Sequence, residues 1–255
     1  MARRLHPPGK IFTLGRFDIP GIAKGRRVRV YLPSHHVRDG TRPALYMFDG
    51  QNDFDDQGSF AGGWYAQDAV DRLSTRTCNV PLIVAIDHGG EKRIDELGPF
   101  KQGAMGGKTD ALLEWMVGTL VPKVVREYGV TPGALGGVVA GSSMGGLAAL
   151  YAHFRHPAVF GGALCMSSAF WFGRGAIFDF VRHQPTPHFS RVYLDSGARE
   201  GRGGMARTAE EMARILRHRG YGDDRLLLRI DKRGTHNEKH WRRRLPRALR
   251  FMFRK

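Results

Sequence analysis

Short, unbroken apolar runs recur along this chain, most of them of strand length and several halted at once by Asp or Gly. Ala44-Leu45-Tyr46-Met47-Phe48 stops at Asp49-Gly50, and Pro81-Leu82-Ile83-Val84-Ala85-Ile86 stops at Asp87. Residues 137–140, 160–165, 191–194 and 225–230 repeat the theme, while 28–32 alternates apolar with polar. Continuous apolar strands are buried on both faces, the situation of a parallel sheet. Helical periodicity fills the intervals at 64–73, 110–128, 144–153, 206–219 and 239–253. In 206–219, Met212, Ile215 and Leu216 share one face, and Gly220 suits the end of the helix. Strand and helix alternate over all 255 residues, which predicts one α/β domain spanning 1–255 with a mostly parallel sheet flanked by helices. Functional groups in such sheets gather at the carboxyl ends of the strands. That directs attention to the segments that follow Phe48, Ile86, Ala140, Leu194 and Ile230.

Several classes fall away. No stretch approaches the ~18–20 apolar residues of a membrane span. The start, residues 1–8, is basic but leads into no apolar core, so it does not read as an export signal. Cys78 and Cys165 stand in apolar settings outside any CxxC and are expected as free thiols in a reducing, cytoplasmic compartment. Asp49, Asp53, Asp55 and Asp56 lack the Glu that completes an EF-hand loop. There is no HExxH or Cys/His zinc set, so no metal or cofactor is expected.

The chemistry-bearing segment is Gly141-Ser142-Ser143-Met144-Gly145-Gly146. It follows a strand and opens a helix, the setting a G-x-S-x-G nucleophile needs. Flanking glycines permit the tight turn, Ser143 projects its hydroxyl, and the helix N-terminus favours developing negative charge. Serine needs a base to take its proton. Of the histidines downstream, only His236 lies just beyond a predicted strand and ahead of the last helix. His153, His156, His183, His188, His218 and His240 read as structural or solvated. The acid that orients the base belongs after another strand, where Asp195 and Glu200 both qualify. Oxyanion donors are expected from the backbone N–H of Met144, next to the nucleophile, and of Gln51, in the loop after an earlier strand. Trp64, Phe170 and Trp171 are the candidate substrate aromatics, the last two lying past a strand end.

Taken together these stretches resemble the putative-esterase family of α/β-hydrolases, which includes enterochelin-type, feruloyl and esterase-D-like esterases. The likeness is carried by Tyr46-Met47-Phe48-Asp49-Gly50-Gln51-Asn52, Gly63-Trp64-Tyr65, the serine segment and Met166-Ser167-Ser168-Ala169-Phe170-Trp171. Residues 193–200 and Gly234-Thr235-His236-Asn237 with Trp241 complete it. The resemblance implies an α/β-hydrolase fold and a serine esterase whose triad is Ser143, His236 and Glu200. It selects Glu200 over Asp195 because the family's acid tends to lie three residues after the strand-end glycine, here Gly197. No helical lid insertion of the kind found in larger relatives is visible.

Two rival readings remain. Residues 102–109 nearly match a phosphate-binding loop, but Gln102 replaces its first glycine and no strand leads into it. Charge is the other. Lys and Arg number 40 against 24 Asp and Glu, for a formal net of +16. The last twenty residues, from His236, hold eight Lys and Arg against one acid, Glu238. A nucleic-acid-binding or non-catalytic hydrolase-fold binder would use that helix. Against this, Trp241, Leu245, Leu249 and Phe253 form an inward stripe that makes the basic residues a solvated face. The expectation is therefore hydrolysis of a small-molecule ester, with the basic rim favouring anionic substrates.

Overall fold

The computed structural model describes residues 9–34, 41–57, 59 and 61–255. The basic start on which the export-signal argument rests lies outside them. Eight strands form one sheet: β1 (Lys10–Ile19), β2 (Ala23–Leu32), β3 (Ala44–Phe48), β4 (Leu82–Ile86), β5 (Gly137–Ser142), β6 (Gly162–Met166), β7 (Arg191–Gly197) and β8 (Leu226–Asp231). Their order is β1-β2-β4-β3-β5-β6-β7-β8. β1 and β2 enter antiparallel, and every pairing from β4 to β8 is parallel. The helices are α1 (Ala66–Asp71), α2 (Arg93–Leu97), α3 (Thr109–Trp115), α4 (Val121–Tyr128), α5 (Met144–Arg155), α6 (Ala176–His183), α7 (Gly204–His218) and α8 (Glu238–Phe253). A π turn at Met116–Leu120 joins α3 to α4. This is the α/β-hydrolase arrangement that the resemblance implies.

The unbroken runs have the cause assigned to them. Every residue of β3, β4, β5 and β6 is buried. Successive side chains point to opposite faces of a strand, so Tyr46 packs with α5 while its neighbour Leu45 packs with α1 and α8. The α8 stripe is as expected: Trp241, Leu245, Leu249 and Phe253 are all buried against that second face. Each such side chain contributes about 1.5–3 kcal/mol by leaving water. Between β4 and β5, α3 and α4 also go into the core, through Leu112, Leu113 and Val124.

β1 and the first half of β2 escape a reading based on periodicity. Most of β1 is only partly covered, and its register with β2 shifts between Thr13 and Gly15 and again between Phe17 and Ile19. Each shift breaks the period-two pattern. Helices α2 and α6, of five and eight residues, are too short to show periodicity.

Candidate active site

The ends of β3, β5, β6, β7 and β8 bring the candidate residues together. Ser143 sits between β5 and α5 with φ 55 and ψ −118, a strained backbone for a residue with a side chain. Three hydrogen bonds hold it there. Its N–H donates to Met166 O at 3.0 Å, and its carbonyl accepts from Ala169 N at 2.9 Å and Leu147 N at 3.1 Å. The turn closes only because Gly141 has no side chain: a Cβ there would lie 2.6 Å from the carbonyl carbon of Gly145. Met144 opens the twelve-residue α5, so its N–H has no partner within the helix.

On the opposite wall, Asp49 turns the chain after β3 with φ 65, and Gly50 lies against the β4 backbone, where a Cβ would be 2.7 Å from Ala85 C. Arg93 clamps both oxygens of Asp49, at 2.6 and 2.7 Å. Gln51 follows in a single 3-10 turn whose first internal bond is Asn52 N to Asp49 O at 2.8 Å, which leaves the Gln51 N–H ahead of the ladder. The Gln51 side chain accepts from His88 N at 3.0 Å and so fixes the loop.

His236 and Glu200 are paired: Nδ1 lies 2.9 Å from Oε2. The acid is buried and the imidazole 39% exposed, so the ring has one side anchored and the other open. Oε1 of Glu200 accepts from Ser167 Oγ at 2.9 Å and Gly197 N at 2.8 Å. Burial alone would raise the Glu200 carboxyl. The bonds from His236, Ser167 and Gly197 overcome it and hold the group below its ordinary value. The stability this confers is complete above the ordinary carboxylate value and is lost as pH falls through the lowered folded value. In unfolding titrations, the gap between wild type and Glu200→Gln is therefore expected to narrow below about pH 4.5. A gap that widened toward acid would contradict it.

Asp195, the alternative acid, faces elsewhere. Arg244 Nε and Nη2 reach its two oxygens at 2.9 and 3.0 Å, Tyr193 OH donates at 3.0 Å and Ser167 N at 3.2 Å. Burial pushes this carboxyl up, against the pull of Arg244, Tyr193 and Ser167. His153, read as structural, is buried between Phe160 O and Ser190 Oγ.

Sequence reasoning assigns no role at the site to Ser167, Trp241, Arg244 or Glu238. Ser167 is the hinge. Its Oγ accepts from Trp241 Nε1 at 2.9 Å and Arg244 Nη2 at 2.8 Å while donating to Glu200. Trp241 also packs its ring 5.0 Å from that of His236. The sequence places Arg244 on the solvated basic face; the structure corrects this, burying its side chain to 7% exposure. Glu238, two residues past His236, is pushed up by burial and by the charge of Asp49, against its own backbone amide. The substrate aromatics also need correction. Trp64 and Phe170 are buried, at 3% and 1% exposure, against Trp241 and Phe178. Trp171 alone of the three is accessible, at 52%. The hydrogen bonds of this region join His236 to Glu200 and the Ser143 backbone to β6; none runs between the Ser143 hydroxyl and the His236 ring.

Comparison with known proteins bears on the family and the fold. The family described as Putative esterase matches residues 20–252. The uncharacterized protein YbbA of Bacillus subtilis (strain 168) is 25% identical over 245 residues, which is 91% of this chain and 94% of that protein. The solved BES protein from Bacillus cereus superposes with a TM-score of 0.73 at 16% identity, covering 99% of this chain and 97% of that one. The enterobactin esterase FES from Shigella flexneri, solved in the presence of enterobactin, gives 0.72 at 24% identity over 96% of this chain, but only 58% of its own. These likenesses to solved structures speak for the fold. No helix among the described residues is long and apolar enough to cross a membrane.

Proposed function

The chain belongs to the Putative esterase family of hydrolases, and from that premise we propose that it is a serine carboxylic-ester hydrolase working through an acyl-enzyme. The observation that carries the proposal is the Glu200–His236 pair, anchored through Ser167 to the strand end that also holds Ser143. His236 takes the Ser143 proton as Oγ attacks the ester carbonyl, forming a tetrahedral oxyanion. The N–H groups of Gln51 and Met144 receive that charge. His236 then gives its proton to the leaving alkoxide, and water repeats the sequence on the acyl-serine. Glu200 keeps the Nδ1 proton in place and stabilises the imidazolium. The serine–imidazole bond forms as substrate binds, since such contacts tighten in the reacting complex.

The substrate is a small-molecule ester, with Trp171 as the accessible aromatic beside the site. Exposed Arg242 and Lys239, on the first turn and a half of α8, supply the positive rim expected to favour anionic esters. A fluorophosphonate probe reacts far faster with a serine activated in this way than with an ordinary one. It is expected to label the intact protein once, on the tryptic peptide containing Ser143, and not to label heat-denatured protein. No label, or label on another serine, would sink the proposal.

A further inference from the structure

Beside the proposed catalytic groups, α8 and the outer strand β8 leave a trough of about 410 Å³ at the free edge of the sheet. Its lining includes Arg229, Asp231, Lys232, Arg243, Arg244 and Arg247. One carboxylate thus faces five cations, and Arg243 already pairs with it. Arg229, Lys232 and Arg247 are exposed and enter no ion pair among the described residues. At the floor lies Arg244. Its Nε and Nη2 are committed to Asp195 and Ser167, but its buried Nη1 has no hydrogen-bond partner. Nη1 faces the Asp231 wall, 4.0 Å from Oδ2 and too far to bond. Glycine at 234 lets the chain pass close to it: a Cβ there would lie 2.8 Å from Nη1 and 2.7 Å from Gly197 Cα. A buried charged donor without an acceptor is a standing cost.

We propose that this trough is a binding site for small oligophosphate anions, meaning a free di- or triphosphate or the phosphate tail of a larger metabolite. Guanidinium forks bond phosphate oxygens in pairs. Arg229 and Arg247, with the Lys232 ammonium, match several linked phosphates better than a single carboxylate, which would leave cations uncompensated. The exposed Arg243 swings aside with Asp231, and a phosphate oxygen gives Arg244 Nη1 the acceptor it lacks. Nucleic acid is disfavoured because the trough is small and its one aromatic, Tyr193, is 1% exposed and cannot stack a base. Occupancy is felt at the neighbouring site. Arg244 Nη2 shares Ser167 with Glu200 and lies 3.6 Å from Glu200 Oε1.

Calorimetric titration of the full chain with inorganic diphosphate tests the site. One equivalent is expected to bind, more weakly as salt rises, with triphosphate and ATP competing for the same place. The Arg229→Ala/Arg247→Ala double variant should bind about tenfold or more weakly, with an unchanged melting temperature. In wild type alone, diphosphate should shift the His236 ring signals in NMR spectra. Absence of binding, or equal binding by the double variant, overturns the proposal. So does a single-stranded oligonucleotide that binds severalfold tighter than triphosphate, because that outcome assigns the surface to nucleic acid. None of these results bears on whether Ser143 is a nucleophile, so the two proposals fail separately.

Discussion

Replacing Ser143 with alanine is expected to lower kcat/KM for p-nitrophenyl acetate by about 10⁴-fold or more. A 10⁴-fold loss corresponds to about 5.5 kcal/mol of transition-state stabilisation. That is the scale expected when the nucleophile is removed and only oxyanion donors and binding remain. The structure also says what should not change. The strained φ of 55 is imposed by the Ser143 N–H and carbonyl bonds to Met166, Ala169 and Leu147, and alanine retains all three. The hydroxyl contributes no hydrogen bond to the fold, so the melting temperature should hold within a degree or two. Circular dichroism melts beside the kinetic assay separate the two effects. A variant that folds and still turns over ester within tenfold of wild type would exclude an acyl-enzyme on Ser143.

The sheet was legible because its central strands are buried on both faces, and burial of that kind leaves an unbroken apolar run such as Ala44–Phe48. The tight turn around Ser143 was legible because it demands small neighbours: a Cβ would lie 2.6 Å from Gly145 C at Gly141, 3.0 Å from Asp49 Oδ2 at Gly145 and 2.3 Å from Ser168 Oγ at Gly146. His236 followed from topology, the end of β8 being next to the last helix. Other features depend on contacts between residues far apart in the chain. Arg244 stands three residues past Trp241, at the edge of the inward face that Arg242 and Arg243 leave, but nothing local marks the partner its charge needs there; that is Asp195, 49 residues earlier. Ser167 looks like any loop serine until Trp241, Arg244 and Glu200 converge on it. Trp64 and Phe170 were misplaced because large aromatics mark cores as readily as pockets, and the sequence pattern is the same for both.

Glu200→Gln and Asp195→Asn, compared side by side, are expected to damage the protein in opposite ways. In Glu200→Gln, the Oε1 position can remain an acceptor for Ser167 and Gly197, so the local fold persists. The other end becomes an NH₂ facing His236 Nδ1, where an acceptor stood at 2.9 Å. Two donors cannot share that contact, so the imidazole must adopt the other tautomer. Its Nε2 then carries the proton and cannot accept one from serine, and kcat should fall by roughly 10³–10⁴-fold. Asp195 has no spare oxygen face: Arg244 and Ser167 donate to Oδ1, and Arg244 and Tyr193 to Oδ2. An amide NH₂ must oppose one of these donors, and Arg244 loses the charge that balances it in the interior. Breaking one partner of a buried ion pair costs about 3–5 kcal/mol, so Asp195→Asn should unfold at markedly lower denaturant while its folded fraction keeps kcat within about tenfold of wild type. Catalytic loss in Asp195→Asn with full activity in Glu200→Gln would transfer the role of triad acid to Asp195. The observed contacts argue against that transfer, because Asp195 Oδ1 and Oδ2 are both saturated by groups other than His236.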